Sequence, residues 1–415
     1  MLKYKKRRFI TKKRILALLL ALAMVLSLAA CGAAEPEATE EPKPNSKDTA
    51  LVDSKGQIGV GVAEDVEVNR AEEHLDAVDA SASGNWEAMF VPIEDPIRNS
   101  DYLNFDLTPT AEEKAAMEKE PMYGQTIKYM MLDGCSSGTS MAEYMGYYEE
   151  AGLTVEGFKG DSYVEALGTG HVQVAICHIA TCLVPITNGV DITFGGGAHL
   201  ACKSLYVLND SQYKTTEDLR GTNISVPNGI GASDYNITSL MLDDDGINPQ
   251  TDVNLVQVSA DACIAAMENG EISAALLSDV YAYGMVKDGK LRCVSSMLDS
   301  DYAEVGICCA LSMSATFVRE NPVHAKKLGQ AIQKALSYMR QDVEEATGVL
   351  LENGLMSGDA EMNVMINDSQ QFGLSAEFAG AELREIVERY IRLGLITNMD
   401  NVDEIMDLAW MPVCD

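Results

Sequence analysis

The chain has 415 residues, with 31 basic and 63 acidic side chains and a formal net charge of −32. A surface this acidic excludes nucleic acid as a partner, because phosphate binding needs positive charge. At this length more than one compact core is expected.

The first fourteen residues hold eight bases and no acid, and the apolar run ILALLLALAMVLSLAA follows over residues 15–30. A basic segment, a short hydrophobic segment and small residues before a cut site predict an export signal over residues 1–30. The run is shorter than the about 20 apolar residues a spanning helix needs. LAAC, residues 28–31, is similar to a bacterial lipobox, which makes Cys31 the lipidation site; an uncleaved membrane anchor is the alternative. Without the first thirty residues the chain carries 23 bases against 63 acids, a net −40. Residues 31–50 are rich in Glu, Pro and Ala and cannot bury a core, so they read as a lipidated tether. The expected location is extracytoplasmic, lipid-anchored to the outer face of the cell membrane.

Residues 51–120 form an N-terminal extension of unassigned role. Within it GNWEAMFVPIEDP, Gly84 to Pro96, has enough apolar residues to dock as an arm on the body that follows, with partial disorder as the alternative. Apart from Cys31 there are nine cysteines, an odd number. Most lie in apolar runs such as VAIC, GICCAL and ADACIAAM, where cysteine behaves as a small hydrophobe. Buried, reduced thiols are expected, with a disulfide or two left open.

From Gln125 strands and helices alternate. QTIKYMM is a strand, the loop Asp133 to Gly138 follows, and Thr139 caps the helix MAEYMGYYEEAG. LTVEGF is a strand, a helix runs from Asp161 to the glycines 168 and 170, and VQVAIC is a buried strand. The order then repeats: strand GTNISVP, loop Asn228 to Ser233, helix DYNITSLMLDDDG, strand VNLVQV, helix ADACIAAMENG and strand ISAALL. EALGTGHVQVAI, residues 165–176, is echoed by AAMENGEISAAL one hundred residues later. Two α/β lobes are expected, each a mainly parallel sheet flanked by helices. GICCALSMSATFV, Gly306 to Val318, is read as a further strand, and Asn321-Pro322 starts a helix from Val323 to about Asn353. Another helix begins at Ala379, and both are expected to pack on the first lobe.

Four phrases in this order carry a family resemblance: EALGTGHVQVAI, DLRGTNISVPNGIGASDY, ADACIAAMENGEISAALLSDVY and NPVHAKKLGQAIQKAL. From Gln125 onward the chain resembles extracytoplasmic solute-binding proteins of ABC importers, in the nitrate, sulfonate, taurine and thiamine-precursor group. The resemblance implies a two-lobed periplasmic-binding-protein type 2 fold. Its first lobe would comprise residues 121–204 and 308–415 and its second lobe residues 205–307. Two crossing hinge segments would join them, near Cys202 to Val207 and Ile307 to Leu311. It also implies a binding protein rather than an enzyme, a monomer with no cofactor, and an ABC permease with a cytoplasmic ATPase as partners. The family's usual Asp is replaced by Gln173 and Ser273, and its Pro by Val280, which leaves the ligand open.

In α/β sheets ligands gather beyond the carboxyl ends of strands. That rule selects Asp133, Ser136, Ser137, Cys177, His178, Gly196, His199, Asn228, Ser233, Asp234, Tyr235, Ser278, Asp279 and Tyr281 as candidate ligand contacts. These loops hold no Arg or Lys, Lys203 lying just beyond one of them, and three hold acids. Acids favour a ligand with N–H donors, a nitrogen heterocycle of the pyrimidine type. Free N–H groups at helix starts keep a sulfonate or carboxylate open as the alternative. A Cys/His metal-dependent enzyme or metal-binding protein, using Cys177, His178, Cys182 or Cys308-Cys309, is the rival class. It is disfavoured because neighbours on a strand face opposite ways and no CxxC or HExxH is present. No metal is therefore expected. No GxSxG elbow supports a hydrolase.

Overall fold

The structure, a computed structural model, describes residues 99–100, 102–297 and 306–414. The signal segment, Cys31, the tether and the stretch Gly84 to Pro96 lie outside the described residues.

The elements run in chain order as α1 (Ala111–Met117), β1 (Ile127–Met130), α2 (Gly138–Tyr144), α3 (Tyr147–Glu150), β2 (Val155–Phe158), α4 (Tyr163–Gly168), β3 (Val174–His178) and α5 (Ile179–Thr187). Then come β4 (Thr193–Leu200), β5 (Lys203–Leu208), β6 (Asn223–Ser225), α6 (Ser233–Asp244), β7 (Asn254–Val256), α7 (Ala260–Glu268), β8 (Ala274–Ser278), α8 (Asp279–Lys287) and β9 (Leu291–Ser296). The chain continues through β10 (Ile307–Met313), α9 (Ala315–Glu320), α10 (Pro322–Gln341), α11 (Val343–Glu352), α12 (Ala360–Ser369), α13 (Ala376–Arg392) and α14 (Val402–Ala409).

These form two lobes around two five-stranded sheets, ordered β2-β1-β3-β10-β4 and β7-β6-β8-β5-β9. The orders are equivalent position by position. In each sheet three strands pair in parallel, and the last two pairings are antiparallel, so both sheets are mixed. The antiparallel fourth strand in each case, β10 or β5, directly follows a passage between lobes. The first passage is only Ala201-Cys202, between β4 and β5; the second leads from β9 to β10. Residues Lys203 to Val207 therefore belong to β5 itself, where the sequence suggested a hinge. β3 and β8 are buried along most of their length, which explains their unbroken apolar runs.

Several helix boundaries differ from the sequence reading. MAEYMGYYEEAG is two helices, broken at Gly146, whose φ of +72° no side-chain-bearing residue adopts easily. Thr139 is not the cap; its buried hydroxyl donates to the Met130 carbonyl, 3.1 Å away. The helix read as Val323 to Asn353 is α10 and α11, divided at Asp342. The apolar run Gly306 to Val318 changes from strand to helix at Ser314, whose side chain accepts from the Phe317 N–H as an N-cap.

Residues 99–122 pack against the first lobe. Ser100 N–H donates to the Gly373 carbonyl (3.2 Å), and Leu107 is fully buried. Glu120 accepts the N–H groups of Val323 (2.7 Å) and His324 (3.0 Å), placing a carboxylate at the positive start of α10.

Candidate functional site

The strand ends of both lobes converge where the chain crosses between them. From the first lobe come Cys135, in the turn Gly134–Ser136 after β1, His178 at the end of β3 and His199 on β4. Cys308 and Cys309 enter on β10, and Cys202 lies in the first passage. The second lobe contributes Lys203, Ser204 and Tyr206 from β5 and the first turns of α6 and α8.

On the first-lobe side the polar atoms are thiols and imidazoles. Cys202 Sγ lies 3.2 Å from Cys308 Sγ, and His178 Nδ1 lies 3.2 Å from Cys308 Sγ and 3.7 Å from Cys309 Sγ. Hydrogen bonding from Cys202 and Cys309, with the His199 ring nearby, holds the Cys135 thiol well below its usual range. The neighbouring thiols of Cys202, Cys308 and Cys309 are pushed up, so Cys135 is the one of the group that ionises most readily. Burial, then the Lys203 cation, pushes His178 down to about 4, leaving a neutral ring. Burial also opposes charge on His199, but the Cys135 thiolate and the Leu200 carbonyl outweigh it and raise that ring. His199 Nδ1 is 2.7 Å from the Leu200 oxygen, while Nε2 makes no hydrogen bond of normal geometry.

On the second-lobe side the groups are hard. Buried Asp234 pairs with Lys203 and also accepts the Asn228 N–H (2.9 Å). Burial opposes the Lys203 charge, yet Asp234 raises its pKa, so the cation persists. Ser233 Oγ is 3.4 Å from Lys203 Nζ. Asp279 accepts from the Tyr206 hydroxyl at 2.6 Å. Burial lifts its carboxyl to about 6 against the Tyr206 and Ser204 hydrogen bonds. The Cys135 thiolate and the Lys203 ammonium also act on this carboxyl, so both sides of the site share one field.

Of the sequence-predicted residues, His178, His199, Ser233, Asp234 and Asp279 come together here, with Asn228 acting through its backbone. Ser278 precedes α8 and pairs across the sheet with Lys203. Tyr235 is half-buried on α6. Asp133 and Ser136 flank the Cys135 turn, and buried Ser137 donates to the Gly134 carbonyl (2.6 Å). Three residues are placed elsewhere. Cys177 faces the core beside Cys182 and Ser312. A Cβ on Gly196 would stand 2.8 Å from Gln333 Nε2, so that glycine allows α10 to approach β4. Tyr281 is 39% exposed and donates to the Ala260 carbonyl (3.3 Å). The residues missed are Cys135, Cys202, Lys203 and Tyr206, while Cys308 and Cys309 enter the sequence reading only as metal ligands of the disfavoured rival class. A signal existed for two of them: Cys202-Lys203 adjoins a selected loop. All nine described cysteines are free thiols.

Contacts at both ends of α6 link the lobes. Asn236 Nδ2 donates to the Ala180 carbonyl (2.6 Å), joining the first turns of α6 and α5. At the other end of α6, Arg389 on α13 meets Asp244 (2.6 Å), Asp243 (3.3 Å) and the Leu240 carbonyl (2.8 Å), and Arg392 meets Asp243 (2.6 Å). A surface groove lined by Glu377, Gly380, Arg384, Met406 and Trp410 shares no residue with the cluster.

Two lobes, two crossings between them and a polar cluster at the strand ends define the periplasmic-binding-protein fold. Residues 136–346 match the family described as NMT1/THI5 like, and the chain belongs to that family. The fold is similar to the periplasmic aliphatic sulphonate binding protein of Escherichia coli (TM-score 0.56, 17% identity, 70% of this chain and 92% of that one). It is also similar to a Candida albicans protein described as having the generic periplasmic binding protein fold (TM-score 0.56, 13%, 70% and 96%). The periplasmic nitrate-binding protein of Synechocystis is a third such structure (TM-score 0.52, 15%, 68% and 85%). No curated protein sequence matches the chain.

Proposed function

We propose that this chain is the substrate-binding component of an ABC importer. Anchored by lipid at Cys31 outside the cell, it captures a small organic solute between its lobes and delivers it to the permease and its ATPase. It makes and breaks no covalent bond. The observation that carries this reading is the convergence of strand ends from both lobes on one buried, ionisable cluster at the crossings. A solute touching both sides favours the closed arrangement by its differential affinity.

The electrostatics favour a solute class. An anionic ligand would take the positive starts of α6 and α8, but buried Asp234 and Asp279 already occupy those first turns. Lys203 is engaged by Asp234. A nitrogen heterocycle of the pyrimidine type, offering N–H donors, suits these carboxylates better than a sulfonate or carboxylate does.

A thermal-shift panel of amino-pyrimidines and alkanesulfonates on the full chain tests this, because binding to the native state raises its melting temperature. A heterocycle should stabilise the chain, and Asp279→Asn should abolish the shift. Stabilisation by sulfonates alone would overturn the solute class, and a shift that survives Asp279→Asn would overturn the site.

A further inference from the structure

Three side chains with metal-binding atoms meet where the chain crosses between the lobes, and a fourth stands beside them. His178 Nδ1, Cys202 Sγ and Cys308 Sγ all lie within 4.8 Å of one another. The Cys309 sulfur lies 3.9 Å from that of Cys308 and 3.7 Å from His178 Nδ1. A tetrahedral ion bound at about 2.3 Å to sulfur and about 2.0 Å to nitrogen holds its donor atoms roughly 3.5–3.8 Å apart. The Cys202–Cys308 and Cys308–His178 separations, both 3.2 Å, are close to that edge length, and Cys309 lies outside the mutually close group.

Consecutive strand residues ordinarily face opposite sides, so Cys308 and Cys309 should not both reach one histidine. Register shifts in the β10–β4 pairing, on either side of Cys309, disturb the alternation, and both sulfurs approach His178. Thiols are weak hydrogen-bonding groups, so mutual hydrogen bonding is little reward for gathering three of them. Cys308 is buried, whereas His178 and Cys202 keep partial exposure, which leaves a way in.

We propose that His178, Cys202 and Cys308 form a binding site for one thiophilic metal ion of the zinc class. Two sulfurs and one imidazole make a three-ligand set that leaves the fourth tetrahedral position to a water. Such an ion ties the end of β3 to the first passage and to the strand that follows the second, bracing the floor of the cleft. The site does not depend on the identity of the solute, and zinc binding is measured with no solute present.

The test uses the full chain, purified in detergent under reducing conditions, loaded with zinc chloride and desalted before elemental analysis. One zinc per chain should be retained, and X-ray absorption should show two sulfurs, one imidazole nitrogen and one further light atom around it. Cys202→Ser and Cys308→Ser should each lose the zinc, while Cys263→Ser, on α7, should keep it. If the serine variants do not fold, the absorption spectrum of the unaltered chain still decides. No retained zinc, retention unchanged in both variants, or a shell of oxygens would overturn the assignment. A Cys202–Cys308 disulfide in the isolated protein, with no zinc taken up after its reduction, would also overturn it and make the pair a redox clasp.

Discussion

The two lobes share one frame and furnish it differently. β3 and α5 span Val174–His178 and Ile179–Thr187, and β8 and α8 span Ala274–Ser278 and Asp279–Lys287, one hundred residues on at every boundary. At that shared junction the first lobe places His178-Ile179 and the second Ser278-Asp279. Soft thiols and imidazoles form one side of the cluster; carboxylates, an ammonium and hydroxyls form the other. The frame recurs because a buried strand feeding a helix is a general packing solution, while the chemistry lies in the residues at its ends.

Substitutions should separate frame from chemistry. Arg389→Ala is expected to have the largest effect, because it strips a buried charge from Asp243 and Asp244 across the lobe boundary. Breaking a buried pair costs about 3–5 kcal/mol, to be read by denaturant unfolding. Lys203→Met leaves Asp234 with its Asn228 N–H bond and a long one from the Ser233 hydroxyl. Loss of a charge-assisted contact should cost about 2–3 kcal/mol and weaken solute binding as well, whereas Arg389→Ala should act on stability first. Asn236→Ala removes one neutral bond between lobes, worth about 1 kcal/mol, and should increase the radius of gyration of the free chain in solution scattering.

A further effect is on pH dependence. Burial, with help from Asp243 and Asp245, lifts the Asp244 carboxyl to about 7 against the pull of Arg389. A folded pKa above the unfolded one means that the unfolded chain binds fewer protons between about pH 4 and 7. Stability contributed by this group is then complete below that window and lost as pH rises through it. Asp244→Asn should flatten the fall in melting temperature over this range, and an unchanged slope would remove Asp244 from the account.

Much of the frame was legible because periodicity and glycine punctuation are local signals. The echo of residues 165–176 in 265–276 corresponds to α4–β3 and α7–β8. β5 and β9 were missed, since KSLYVL and LRCVSS pair antiparallel with strands far away in sequence and announce that partnership nowhere locally. The carboxylates and histidines of the cluster were found by the strand-end rule. The thiols were not found as solute contacts: Cys308 and Cys309 enter only as metal ligands, a class disfavoured because strand neighbours face opposite ways, an alternation that the β10 irregularity disturbs. Lys203 was seen as adjacent to a loop, but its pairing with Asp234 spans 31 residues of sequence.

Hydrogen exchange, measured with and without the solute selected by the thermal-shift panel, tests the central claim most directly. Capture between lobes predicts slowed exchange at both the first-lobe strand ends (residues 133–137, 178–182 and 199–202) and the second-lobe ones (residues 228–236 and 277–281). Protection confined to one lobe, or to segments away from these strand ends, would contradict it.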